Sequence, residues 1–233
     1  MDDGAIEHAK NRGHRLLADT DADLEAGRIT EAEWFARVDG VITPAYLAGG
    51  NPRAQSGHSG DAAHCRAARE HISDALAAPG TLLDVGCANG HLMECLVPWA
   101  AERGLEIEPH GLDISPPLAA LARRRLPHWA DRIHVGNALT WTPPRRYDVV
   151  LTGLEYVPRL RRRDLVARLI DAYAAPGGRL VIGVYNEERG DLLRGPSVEQ
   201  QVASWGFEVA GRTERPHLRD DRLRYRAIWI DAE

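Results

Sequence analysis

The stretch LLDVGCANGHL, residues 82–92, ends an apolar run on an acid, Asp84, then passes Gly86, Cys87 and Gly90 into a helical pattern. In open α/β sheets ligands sit at the carboxyl ends of strands, so an acid beside bare glycine backbone at such a tip is a candidate binding loop. Its charge selects the ligand. A carboxylate there repels a pyrophosphate and attracts a group carrying positive charge. In HGLDIS, Asp113 stands 23 residues beyond Gly90, with Ile114 beside it at the end of the next strand. A carboxylate in that place can accept hydrogen bonds from both hydroxyls of a ribose. In VGNAL, Asn137 offers an amide that can read an adenine edge, and Ala138 allows close approach.

A dinucleotide site wants G-x-G-x-x-G. Here Ala88 occupies the second glycine position and His91 the third. S-adenosylmethionine carries a sulfonium and an ammonium and no phosphate, so Asp84 favours it over a nicotinamide dinucleotide. At these residues the chain resembles the class I S-adenosylmethionine-dependent methyltransferases, over about residues 76 to 233. The resemblance implies that Asp84, Gly86 and Gly90 wrap the methionine part of the cofactor and that Asp113 holds its ribose. That family usually carries an acid after the third strand; Asn137 departs from it, although an asparagine can still accept from the adenine amino group. The other reading of D-x-G-x-x-x-G is a plain strand–turn–helix whose glycines serve the turn. Cys87, inside the loop, reads as a small residue packing near the cofactor.

Methyl transfer is an in-line displacement in which alignment of the acceptor does most of the work. Hydroxyl and protonated amine acceptors also need a base. The fourth strand ends in LTGLEYVP, where Glu155 can orient or deprotonate an acceptor and Tyr156 can line its pocket; the alternatives are a solvated acid and a packing tyrosine. Base-methylating enzymes often carry an Asn/Asp-Pro-Pro-aromatic motif at this point, and GLEY is not one. The fifth strand ends in VYNEE, which brings Tyr185 toward the same crevice. The glycine-hinged segment NPRAQSGHSG suits a lid. Arg53 there can meet the cofactor carboxylate and His58 can act as a base, with Gln55, Ser56 and the preceding Tyr46 as substrate contacts.

These residues need a scaffold. Short apolar runs predict strands over 81–86, 107–114, 132–138, 147–153, 179–186, 207–214 and 223–231, with helices over 90–102, 116–125, 160–174 and 195–204. Alternation of this kind predicts a Rossmann-like, seven-stranded, mostly parallel sheet covered on both faces. The short polar link RPHLRDD makes one strand antiparallel. Residues 1–75 read as an N-terminal helical cap and 76–233 as the cofactor-binding domain. Within the cap, Thr30 and Glu33 have capping-box spacing, a loop opens at Thr43, and a helix resumes over 62–78.

The formal charge of −5 argues against bulk attraction to nucleic acid or anionic lipid. Three cysteines without a CxxC pair suit a reduced, cytoplasmic setting. The acidic opening MDDGAIEHAKNRGHRLL predicts no secretory leader, and no run approaches the roughly 18 apolar residues of a membrane span. No HExxH or Cys/His cluster predicts a metal. Three functions compete: an N- or O-methyltransferase of a small molecule, an RNA methyltransferase using the arginine runs at 123–125, 145–146 and 159–163, and a non-catalytic cofactor-binding protein. The first is favoured, as a monomer or homodimer.

Overall fold

Runs such as TLLDV and VVLT can bury both faces of a strand at once, because successive side chains point to opposite sides. Leu82, Leu151 and Val181 enter one apolar cluster with Leu96 and Trp99, while their neighbours Leu83, Val150 and Ile182 enter another with Leu165 and Leu169. A computed structural model describes residues 15–58, 60–184, 196–218 and 223–233. Its strands are β1 (Gly80–Val85), β2 (Ile107–Asp113), β3 (Ile133–Val135), β4 (Tyr147–Thr152), β5 (Ala174–Val184), β6 (Gly211–Pro216) and β7 (Arg224–Asp231). They form a seven-stranded sheet in the order β3-β2-β1-β4-β5-β7-β6. The first five pair in parallel, and β7 runs antiparallel to both β5 and β6.

The helices are α1 (15–25), α2 (Glu31–Leu47), α3 (Ala62–Arg69), α4 (His91–Ala101), α5 (Pro116–Arg125), α6 (Arg162–Arg168) and α7 (Val198–Ser204). Thr30 caps α2 through the reciprocal contacts of a capping box with Glu33. Among the described residues no helix is long and apolar enough to cross a membrane.

Several boundaries differ from the sequence pattern. The loop expected at Thr43 begins later, because α2 continues through Pro44 to Leu47. Pro44 is exposed, and buried Thr43 is held by Ser115 at 2.7 Å and by Asp39 at 2.6 Å. The helix expected over 62–78 ends in a 3-10 stretch, Glu70–Ala75. That expected over 160–174 is three pieces: a 3-10 turn (Arg159–Arg161), α6, and a π-type turn (Leu169–Tyr173) that places the Tyr173 hydroxyl on the carbonyls of Ala138 and Trp141. Strand β6 starts at Gly211, not 207, and Phe207 and Val209 pack on the core edge instead. Strand β3 stops at Val135 because Asn137 turns the chain.

The arginine runs are largely internal staples. Arg159 chelates Glu25 of α1 and donates its backbone N–H to Asp21. Arg161 reaches Glu31 of α2 and Asp164. Arg123 holds the Ile133 carbonyl, and Arg146 holds those of Asp171 and Ala174. A planar guanidinium can serve two carbonyls or a whole carboxylate at once.

Candidate functional site

The loop between β1 and α4 is shaped by its glycines. Gly86 has φ +81° and Gly90 φ +75°, a region L side chains rarely adopt. A Cβ at Gly86 would lie 2.6 Å from the Tyr156 ring, so the tyrosine covers bare backbone. The Gly86 N–H donates to the Leu112 carbonyl at 2.7 Å, binding the loop to β2. Ala88 is also left-handed (φ 48°), and its N–H donates to Asp113 Oδ2 at 2.7 Å. Asp113 Oδ1 accepts from the Ser115 N–H at 2.8 Å. The acid ending β2 therefore clamps the glycine loop. Cys87 is buried in the core, its sulfur where a Cβ on Gly111 would come within 2.7 Å, and burial pushes its thiol up.

Two acids face this cradle. Asp84 is 4% exposed, and its Oδ2 is buried without a hydrogen-bond partner. Burial pushes its carboxyl up to about 7, with the Arg69 guanidinium opposing and Asp113 reinforcing. Burial also pushes Asp113 up to about 6, against the two backbone N–H groups it accepts. A buried carboxylate with an unused oxygen is costly unless a cation or donor meets it. The pair fits a ligand that carries an ammonium and a diol. Each Asp113 oxygen keeps lone-pair capacity beyond its one N–H. Ile114, beside it, is 40% exposed, an apolar surface open to a flat ring.

The segment from Pro52 to His58 is fastened to the glycine loop and to α3. Buried Asn89 donates through Nδ2 to the Pro52 carbonyl at 2.9 Å and accepts from the His91 N–H at 3.1 Å. Arg69, at the end of α3, donates to Ser56 Oγ at 3.0 Å and to its carbonyl at 3.2 Å. The Arg53 carbonyl gathers the Ser56 hydroxyl and the His58 N–H, while its guanidinium turns to the Gly60 carbonyl at 3.3 Å. The cation whose field reaches Asp84 is Arg69, not Arg53. Gln55 lies in the 3-10 turn Ala54–Ser56. Tyr46 lays its hydroxyl over Gly57, where a Cβ would come within 2.1 Å. Burial pushes that hydroxyl up, Arg69 opposes, and Glu155 and Asp113 add to the rise.

On the β4 side, Glu155 folds back over Gly153, whose Cβ would sit 2.8 Å from Oε2. Burial raises its carboxyl and Arg162 opposes the rise. Tyr156, against Gly86, keeps 36% of its surface exposed, so it is not fully packed away. Asn137 uses Oδ1 to accept the Leu139 N–H at 2.9 Å, so that oxygen, expected to accept from an adenine amino group, is already engaged within the loop. Ala138 is half-buried against the core. The ring of His58 meets that of His64 edge-on at 5.1 Å, and His64 meets His217 edge-on at 5.4 Å, a series of contacts that runs toward the β6–β7 hairpin. Tyr185 lies outside the described residues.

Asp113 thus lies within electrostatic reach of both Asp84 and Tyr46, Tyr46 within reach of Glu155, and the Tyr156 ring on Gly86, whereas the His58 ring packs on His64. Sequence reasoning missed Arg69, Asn89 and the Thr43–Ser115 contact. Asn89 stood within the quoted loop; Arg69 carried no motif. Among the described residues no group of three His, Cys, Asp or Glu side chains can hold a metal ion.

A family profile described as a methyltransferase domain matches residues 58–223. A trans-aconitate 2-methyltransferase of Methylobacterium radiotolerans is 35% identical over 109 residues, 46% of this chain and 38% of that protein. The chain thus spans under two fifths of the length of that curated relative. A 1,6-didemethyltoxoflavin-N1-methyltransferase of Burkholderia thailandensis, solved with S-adenosylhomocysteine, superposes with TM-score 0.60 at 18% identity over 88% of this chain and 91% of its own. The N-methyltransferase NodS of Bradyrhizobium japonicum gives TM-score 0.52 at 20% identity over 73% and 95%. At these identities the two structures speak to the fold alone.

Proposed function

Because the chain belongs to the S-adenosylmethionine-dependent methyltransferase family, we propose that it transfers a methyl group from that cofactor to nitrogen or oxygen of a small molecule. The observation that carries the reading is the buried, unpartnered Asp84 Oδ2 beside a glycine cradle clamped by a second acid. When bound, the cofactor supplies an electrophilic methyl group on a cationic sulfur. Asp84 receives the ammonium, and Arg69 the methionine carboxylate. The main chain of Gly86, Cys87 and Gly90 gives close approach. Asp113 takes the ribose hydroxyls on its remaining lone pairs. Ile114 and Ala138 flank the adenine, and Asn137 donates to a ring nitrogen.

On the acceptor side, Glu155 orients the nucleophile or removes its proton. Its raised carboxyl makes it a stronger base than an exposed glutamate wherever it is ionised. Tyr46 and Tyr156 wall the pocket and help exclude water, and the described part of the N-terminal region, 15–58 and 60–75, serves as a cap whose segment Arg53–His58, including Gln55 and Ser56, closes over the cofactor. The small acceptor is favoured over RNA because most arginines of the runs hold partners within the protein. A cytoplasmic enzyme fits the free thiols. The relatives' activity on trans-aconitate makes small carboxylic acids the first members of an acceptor panel.

The test is calorimetric titration of S-adenosylmethionine and S-adenosylhomocysteine, with NAD as control, followed by acceptor screening for S-adenosylhomocysteine release. Micromolar binding of the adenosyl ligands and turnover on a small acceptor are expected. Folded protein that binds neither ligand refutes the proposal. Tight cofactor binding with no turnover on any acceptor favours a binding protein.

A further inference from the structure

The cofactor reading leaves one cavity without a role. Where the 3-10 stretch Glu70–Ala75 meets the end of α4 and strand β6, a cavity of about 470 Å³ opens, within the size range of small-molecule sites. None of its lining residues belongs to the glycine cradle, the segment Arg53–His58 or the acids Asp84 and Asp113. Trp99, Pro216 and Leu218 give it an apolar wall. His71 also lines it and is only 3% exposed. The His71 Nε2 meets the Ala68 carbonyl at 3.1 Å, so the ring proton sits there and Nδ1 is an acceptor. That Nδ1 is buried with no hydrogen-bond partner among the described residues, a cost that an arriving donor would relieve. Burial pushes the ring's ionisation down to about 4, so it stays neutral and accepting at neutral pH.

The charges beside the cavity fall into two groups. Arg66 donates to the two oxygens of Glu70 at 2.6 and 2.9 Å and to Glu102 at 3.2 Å. One cation between two carboxylates leaves negative charge in excess. At Asp74 the ratio is reversed: Arg103 donates to Oδ1 at 2.8 Å, and Arg215 donates to Oδ2. Glu102 and Arg103 are chain neighbours, and Glu70 and Asp74 share one short 3-10 stretch, so the two groups stand side by side. From the apolar wall, the unmet imidazole nitrogen and these adjacent excesses of opposite sign, we infer that the cavity binds a zwitterionic amino acid with an apolar side chain. Its ammonium faces Glu70 and Glu102 and donates to His71 Nδ1. Its carboxylate meets Arg103 and Arg215, and its side chain lies on Trp99 and Leu218. A ligand with a single charge would suit one group and be repelled by the other.

The experiment titrates L-leucine, L-methionine and L-phenylalanine into the full chain by calorimetry, and follows the His71 Nδ1 resonance by NMR in protein with isotope-labelled histidine. Saturable binding of at least one amino acid and a shift of that resonance are expected. The amide of the tightest binder lacks the carboxylate and its N-acetyl derivative lacks the ammonium; each is expected to bind about tenfold more weakly or worse. Arg103→Gln and Glu102→Gln, both on the surface, should each weaken binding by about tenfold while leaving S-adenosylhomocysteine affinity unchanged. No binding of any of the three overturns the inference, as does equal binding of the two derivatives. Binding that both variants retain and that S-adenosylhomocysteine displaces lies in the cofactor cradle and also overturns it. An unmoved His71 resonance at saturation overturns the imidazole contact. The inference goes beyond the methyltransferase reading and does not depend on it: S-adenosylhomocysteine binding tests that reading and amino-acid binding tests this one, so the two failures are distinguishable.

Discussion

Replacing Asp84 by Asn removes the charge while keeping the shape, and the structure fixes the sign of two opposite effects. In the unfolded chain the carboxyl ionises near 3.8; in the folded, ligand-free protein it does so near 7. Below 3.8 both states hold the proton. Between 3.8 and 7 only the folded state keeps it, so the Asp84 contribution to stability falls as pH rises through that window and is flat above it. At 1.36 kcal/mol for each pH unit, the full displacement is worth about 4 kcal/mol, of which about 3 kcal/mol falls between pH 5 and pH 7. Asparagine carries no such cost. In urea unfolding without ligand, Asp84→Asn is expected to gain on the wild type by up to about 3 kcal/mol between pH 5 and pH 8. The same substitution should weaken S-adenosylmethionine binding by about 10- to 150-fold, the equivalent of a hydrogen bond to a charged group. A stability difference that does not change with pH refutes the burial argument. Unchanged affinity refutes the ammonium contact.

Gly86→Ala places a methyl 2.6 Å from the Tyr156 ring at φ +81°; thermal melts should show a loss of about 1–3 kcal/mol, and Tyr156→Ala should restore only the steric part. Arg69→Gln removes the cation that opposes protonation of Asp84, so calorimetry across pH should show cofactor affinity developing at a higher pH than in the wild type. Asn89→Ala leaves the Pro52 carbonyl and the His91 N–H without this partner, which should cost about 1–3 kcal/mol. In the same variant, limited trypsinolysis at Arg53 should be faster.

The binding loop was legible because it is local. Asp84, Gly86 and Gly90 share seven residues, and strand–helix alternation alone places Asp113 at the neighbouring tip. The capping box of Thr30 and Glu33 was equally local. Arg69 was not legible, because its significance lies in Ser56, 13 residues away, and in Asp84 across the cleft. Arg159 and Arg161 read as an ambiguous charge run until α1 and α2 supplied Glu25 and Glu31. The Gly-, Pro- and Ser-rich stretch from Thr43 read as a loop, but the tertiary contact of Thr43 with Ser115 favours continuation of α2 to Leu47. Asn137 announced an adenine reader, yet its carbonyl oxygen is committed to a turn of its own.

The clamp that Asp113 places on Ala88 and Ser115 exists before any ligand arrives. The cradle therefore needs little ordering on binding, and what an arriving molecule waits for is passage. The Asn89–Pro52 and Arg69–Ser56 contacts act as latches on the way in. Stopped-flow mixing should then show an association rate that climbs with ligand concentration and levels off at the frequency with which the latches release, a ceiling that Asn89→Ala lifts.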